Sequence, residues 1–389
     1  MQVRDRLKAV RKEMKARGMD AWLVPSTDPH LSEYVPDCWQ RRPWVSGFTG
    51  SAGDIVITAS WAGLWTDGRY FLQASQELDG TGIELMKIGV AGVPTIEEFL
   101  AGRLKTGAVV GCDPQVLSVS RAEQLALRLK ESGRRLRLST VNLVDRVWED
   151  QPPMPRQPMR VHPRRYSGET IARRLSRVRA EMVGVGADAH VLSALDAIMW
   201  TTNLRGRDVE CNPVAISYLA IERNRATLYV DPVQVTPAIK KHLGRHVSLR
   251  PYHEAGKGLR ELAARSDVVW VDDGDCTRWV LDRLRGVTLH RAMSCVTFMK
   301  SRKNPVEQAG MRVAHIRDGV AMVRFLRWLD ENIGRRKITE MSAAQRLLEF
   351  RAEGENFQGL SFPTISGYAA HGAIIHYSVD ASTDVELKA

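Results

Sequence analysis

The chain has 389 residues, 44% of them hydrophobic and 26% charged, with a formal net charge of +11. That length exceeds one ordinary hydrophobic core, so two or three domains are expected, and the composition is that of a soluble globular protein. No apolar run is long enough to span a bilayer and the N-terminus leads into an amphipathic helix, which points to a cytoplasmic location.

The five cysteines, Cys38, Cys112, Cys211, Cys276 and Cys295, are odd in number, scattered and without a C-x-x-C pair. Reduced, mostly buried thiols are expected from them. The positive charge is spread along helices, as in Arg173, Arg174, Arg177 and Arg179, with no aromatic-interleaved recognition motif, so nucleic-acid binding is not expected.

In chain order, Leu7, Val10 and Met14 recur at helical spacing, Gly18 stands where a helix C-cap belongs, and 21–24 is a short apolar strand. A strand pair follows at 54–58 and 63–66, with Asp67-Gly68 as a turn. The proline-rich stretch 152–158 cannot continue a helix or a central strand and marks a linker. Beyond it the opening pattern returns without a gap at a shift of 168. Leu175, Val178, Met182, Gly186, Asp188 and Ala189 fall on Leu7, Val10, Met14, Gly18, Asp20 and Ala21. Strands at 214–221 and 226–230, with Asn224-Arg225 as a turn, complete the second copy.

Two related α/β domains are predicted, each a mixed sheet flanked by helices, over 1–155 and 156–305. The remainder, 306–389, opens with a helix from 307 to about 332 and a second from about 339 to 352, with Thr339 and Ser342 as candidate N-caps. One strand is expected across 360–377.

Several segments together resemble the cytosolic type of Xaa-Pro aminopeptidase (aminopeptidase P), of metallopeptidase family M24. They are Val45-Ser46-Gly47-Phe48-Thr49-Gly50-Ser51-Ala52-Gly53, Trp65-Thr66-Asp67-Gly68-Arg69-Tyr70-Phe71-Leu72-Gln73-Ala74, Asn203-Leu204-Arg205-Gly206, Glu307-Gln308-Ala309-Gly310-Met311-Arg312, Leu360-Ser361-Phe362-Pro363-Thr364-Ile365-Ser366 and Gly372-Ala373-Ile374-Ile375-His376-Tyr377. Their order is kept from near residue 5 to near residue 377. The resemblance implies two creatinase-N-like domains followed by the N-terminal part of a pita-bread peptidase domain, left incomplete in this chain.

It further implies a homodimer that releases an N-terminal residue from peptides with proline in second position. Two divalent metal ions, manganese or zinc, would do this by activating a bridging water and polarising the scissile carbonyl. In the family two aspartates, a histidine and two glutamates bind these ions, all beyond the Gly-Ala-Ile-Ile-His-Tyr segment. Here only Asp380, Asp384 and Glu386 follow it, and they are expected to be solvated loop side chains. No metal ligand is therefore assigned, and the 389 residues are expected to be truncated before the ligands and inactive as given.

His376 matches a family histidine that lines the substrate pocket, where an imidazole can donate to developing oxyanion charge. Arg69 matches an arginine that approaches the peptide across a subunit contact, and a guanidinium suits carboxylate or carbonyl recognition. A surface arginine beside a turn, and a histidine at a strand end satisfied by backbone groups, are the bland alternatives. His371 departs from the family pattern. Paired with His376 at i, i+5 on an extended strand it would face the opposite way, so a chelating pair is rejected.

The glycines of 45–53 lack a phosphate-loop arrangement, and Ser46, Ser51, Ser361, His30 and His315 show no nucleophile elbow or triad logic. His315 is expected to be partly buried on its helix. The alternative to a peptidase is a non-catalytic dimerisation or peptide-binding module; a creatinase-like amidinohydrolase is more remote.

Overall fold

The first helix, α1 (Val3–Ala16), turns Leu7, Val10 and Met14 inward and ends where Gly18 takes a positive φ of 60°. The Met19 N–H bonds to Met14 O at 3.0 Å and the Gly18 N–H to Lys15 O at 3.2 Å, the paired bonds of a glycine-stopped helix. The second copy repeats this stop. Helix α2 (Ile171–Gly184) has the same 14 residues, Gly186 has φ 70°, and the Ala187 and Gly186 N–H groups bond to Met182 O and Val183 O.

These helices cover two six-stranded sheets in a computed structural model that describes residues 1–388. The strands are β1 (Ala21–Val24), β2 (Asp54–Thr58), β3 (Ala62–Thr66), β4 (Glu84–Lys87), β5 (Val109–Cys112), β6 (Arg135–Leu138), β7 (Arg160–Val161), β8 (Ala189–Leu192), β9 (Leu204–Arg205), β10 (Ser217–Glu222), β11 (Ala226–Val230), β12 (Ser248–Pro251), β13 (Val268–Val271) and β14 (Thr288–Arg291). The sheet orders are β4-β3-β2-β1-β5-β6 and β12-β11-β10-β8-β13-β14, and β7 and β9 pair antiparallel in a separate two-stranded ribbon. In both, the first strand of the copy pairs antiparallel with the next and parallel with the fifth. The two sheets are therefore one topology used twice.

Both faces of each sheet are buried. Along β1, Trp22 and Val24 join the core that holds Leu7, Val10 and Met14, whereas Ala21 and Leu23 join the core on the other face. Along β8, Leu192 packs with Leu175, Val178 and Met182, whereas Ala189 and Val191 face Tyr218 and Tyr229. Asp20 and Asp188 repeat a role as well as a position. Asp20 accepts from the Val109 N–H at 2.8 Å, and Asp188 from the Val268 N–H at 3.0 Å, each tying the start of the first strand to the start of the fifth.

The two copies also meet through equivalent loops. Ser118 and Thr277, each the residue before a helix that follows the fifth strand, form an antiparallel bridge. The Val119 N–H bonds to Cys276 O at 2.9 Å and the Arg278 N–H to Leu117 O at 2.8 Å, so the exchange is reciprocal.

By compactness the chain divides into two units, one of 1–164, 169–209 and 213–302, the other of 165–168, 210–212 and 303–389. The second unit holds α3 (Pro305–Asn332) and α4 (Glu340–Ala352), both opened by capping boxes, Asn304 with Glu307 and Thr339 with Ser342. Residues 360–377 differ from expectation. They form no strand, but loops, bends and a short 3-10 turn (Ala369–Ala373).

Candidate functional site

Glu340 organises the loop that carries the histidine candidate. It occupies the first position of α4 with no solvent exposure, and its carboxylate accepts from the Tyr368 N–H at 2.6 Å and the Tyr377 hydroxyl at 3.0 Å. His371 Nδ1 lies 3.0 Å from the same carboxylate, and the His371 ring stacks on Tyr377 with centroids 4.5 Å apart. Burial pushes the Glu340 carboxyl up, but the bonds from Tyr368, His371 and Tyr377 outweigh it and hold the group below its ordinary value. A buried carboxylate is thus matched by three donors.

His376 sits between two of these anchors. It is exposed, with a positive φ of 54° in the turn that precedes Tyr377. The strand geometry used to reject a His371–His376 pair is absent. His371 is instead committed to Glu340. His315 also differs from expectation, being exposed on α3 with Nδ1 2.8 Å from Met311 O.

Arg69 belongs to the other unit, just past β3. Its Nε and Nη2 each lie 2.8 Å from an Asp67 carboxylate oxygen, and its guanidinium lies 5.2 Å from the Tyr70 ring centroid. Hydrogen bonding to Asp67 raises its already high pKa, so it stays cationic. At 42% side-chain exposure it remains accessible. Glu340 was not singled out in the sequence, since its partners are 28 to 37 residues away and no local spacing marks them.

No group of three or more His, Cys, Asp or Glu side chains among the described residues is placed to hold a metal ion. Asp380 accepts from the Ser382 and Thr383 N–H groups, and Asp384 from the Met341 N–H. These residues by themselves do not fit a dinuclear centre. No described helix is long and apolar enough to cross a membrane.

Residues 6–144 and 150–307 match models of the creatinase/prolidase N-terminal domain, and 309–389 match metallopeptidase family M24. Aminopeptidase P2 of Arabidopsis thaliana is 39% identical over 92% of this chain and 55% of its own length. A protein of Aspergillus niger named "Probable Xaa-Pro aminopeptidase P" is 40% identical over 96% of this chain and 62% of its own. The chain belongs to the Xaa-Pro aminopeptidase family.

A solved X-prolyl aminopeptidase of Caenorhabditis elegans, described as a cytosolic enzyme with a di-nuclear active site, superposes with a TM-score of 0.95. It is 30% identical and covers 100% of this chain and 66% of that one. The chain thus spans a little over half to two thirds of the length of these family members.

Proposed function

We propose that this protein is an Xaa-Pro aminopeptidase that releases the N-terminal residue of peptides with proline in second position. The observation that supports the reading best is the likeness to the nematode X-prolyl aminopeptidase over the whole chain. In the reading, two α/β domains, 1–155 and 156–305, build a cytoplasmic homodimer, and 306–389 opens the catalytic domain. Manganese or zinc ions supply the activated water and the Lewis acid. His376 donates to the oxyanion of the reacting peptide, and Arg69 receives a peptide carbonyl or carboxylate. Hydrolysis is not assigned to this stretch alone, because the described residues bring no metal-binding group together.

The test compares the 389-residue polypeptide with a chimera in which it is continued by the C-terminal part of the Arabidopsis relative, both supplied with manganese or zinc. Products are read by mass spectrometry, metal content by elemental analysis and size by light scattering. The expected result is cleavage just before proline by the dimeric chimera, a loss of about 100-fold in kcat on His376→Ala, and no turnover by the shorter polypeptide. Turnover with two bound metals in the shorter polypeptide overturns the placement of the ligands elsewhere. A folded, metal-loaded chimera that spares Xaa-Pro bonds overturns the aminopeptidase reading.

A further inference from the structure

Two of the segments singled out in the sequence, 45–53 and 65–74, form one physical unit around Arg69. Helix Arg41–Ser46 stops where Gly47 takes a positive φ of 79°, and the chain then folds back over a buried arginine. Arg42, at 4% exposure, donates from Nη1 to Phe48 O at 2.7 Å and from Nη2 to Gly50 O. Its guanidinium lies 4.8 Å from the Phe48 ring centroid, and the Phe48 N–H bonds to Ser46 Oγ at 3.1 Å. The loop is thus pinned from inside.

Its other contacts grip the turn that carries Arg69 from both sides. Before the turn, the Thr66 hydroxyl donates to Ala52 O at 2.6 Å. After it, the Tyr70 ring meets Phe48 edge-on with centroids 5.9 Å apart, and the Tyr70 and Ser51 hydroxyls are hydrogen-bonded at 2.6 Å. Further along helix Phe71–Glu77, the Glu77 carboxylate accepts from the Thr49 N–H at 2.9 Å and from the Thr49 hydroxyl at 2.6 Å. Gly50 permits this approach, since a methyl group there would run into the Phe48 ring and stand 2.7 Å from Tyr70 Cδ1.

Tyr70 passes this order on to Arg69. It is buried, and its N–H closes the turn on Asp67 O at 3.0 Å. Asp67 holds the Nε and Nη2 edge of the Arg69 guanidinium, and the Tyr70 ring lies within cation–π range of it at 5.2 Å. A binding side chain is effective when packing and hydrogen bonds fix its rotamer before the ligand arrives.

We propose that Ser51 and Tyr70 are positioning residues, their paired hydroxyls holding the Tyr70 ring where it aligns the Arg69 guanidinium to receive a peptide carbonyl or carboxylate. The inference rests on the reading of Arg69 as a peptide-binding residue.

Two measurements test it. In the 389-residue polypeptide, solvent exchange of the Arg69 Nε–H, assigned through Arg69→Ala, is followed by ¹⁵N NMR. The Arg327 Nε–H, 2.8 Å from Glu331, is the internal reference. Ser51→Ala, at an exposed position, and Tyr70→Phe should each speed Arg69 exchange about five-fold and leave Arg327 unchanged. Ser51→Thr keeps the hydroxyl and should restore the slow exchange. In the chimera described above, Ser51→Ala and Tyr70→Phe should raise KM about five-fold with kcat within about two-fold, and should raise it no further once Arg69→Ala is present.

Unchanged Arg69 exchange in both variants overturns the positioning role. So does a KM increase of the same size on the Arg69→Ala background, because the two residues would then act independently of Arg69. A normal KM in Arg69→Ala is the failure of the peptide-binding reading itself, and the proposal falls with it.

Discussion

His190 shows how a single buried residue sets the acid limit of this protein. It lies on the central strand β8 with no exposure. Nδ1 is 3.0 Å from Trp270 O, which can only accept, and Nε2 is 2.7 Å from the Ser294 hydroxyl. Burial therefore keeps the ring neutral and pushes its pKa down to about 4, with the bond to Trp270 O only partly offsetting it. His30 is held the same way between the two α/β copies, Nδ1 2.9 Å from Ser193 O and Nε2 2.9 Å from the Tyr252 hydroxyl, and burial lowers it too. An unfolded histidine takes up its proton near pH 6.5, which the folded sites refuse. Stability is thus complete above about pH 6.5 and falls as pH drops toward 4, by about 3 kcal/mol for His190 alone. Urea unfolding followed by the fluorescence of Trp270, stacked 4.8 Å from His190, should show a midpoint that decreases from pH 7 to pH 4.5. His190→Asn should remove about one proton from that slope, and an unchanged slope would count against a neutral His190. None of this was legible in the sequence, where His30 stood out only for lacking a catalytic partner, because burial and tautomer are set by residues 80 to 222 positions away.

At the scale of elements, the duplication was legible because it rests on local chemistry. Helix face, glycine stop and apolar strand all recur at one spacing, and α1 and α2 fold as that spacing predicts. Leu175, wholly buried on the inner face of α2, should cost about 2–5 kcal/mol when changed to Ala, as should Leu7→Ala on α1 at 2% exposure. Matched losses in urea unfolding are expected, whereas Leu127→Ala, at 55% exposure, should change stability by less than about 0.5 kcal/mol. The strand expected across 360–377 did not form, and the reason is equally physical. A strand must give its N–H and C=O groups to a neighbour. Here the His371, Ile374 and Tyr377 N–H groups turn to Tyr368 O, His371 O and Ile374 O instead. Apolar β-formers describe a tendency, and the ladder partner decides whether it is realised.

Across the whole molecule the apolar surface is unevenly covered. In the first unit the strands and helices described above bury their inward faces. On α3, by contrast, Ile316 is 67% exposed, Val323 66%, Val320 55% and Leu326 55%, and Ala321 is its one buried residue. Few buried contacts mean low local stability. Amide exchange in 303–389 should therefore outrun that of β1, β2, β8 and β10 by at least about 100-fold, and limited proteolysis should cut there first. Equal protection would show that α3 is stabilised by more than its visible packing. The sequence by itself determined the doubled α/β plan and the family, since periodicity, caps and ordered motifs are local or repeat at a constant interval. Only the tertiary structure decided that Glu340 gathers Tyr368, His371 and Tyr377 around the turn bearing His376, and that Ser51 meets Tyr70 beside Arg69. Those meetings depend on which distant segments the folded backbone brings within hydrogen-bond or charge range, and no spacing along the chain records them.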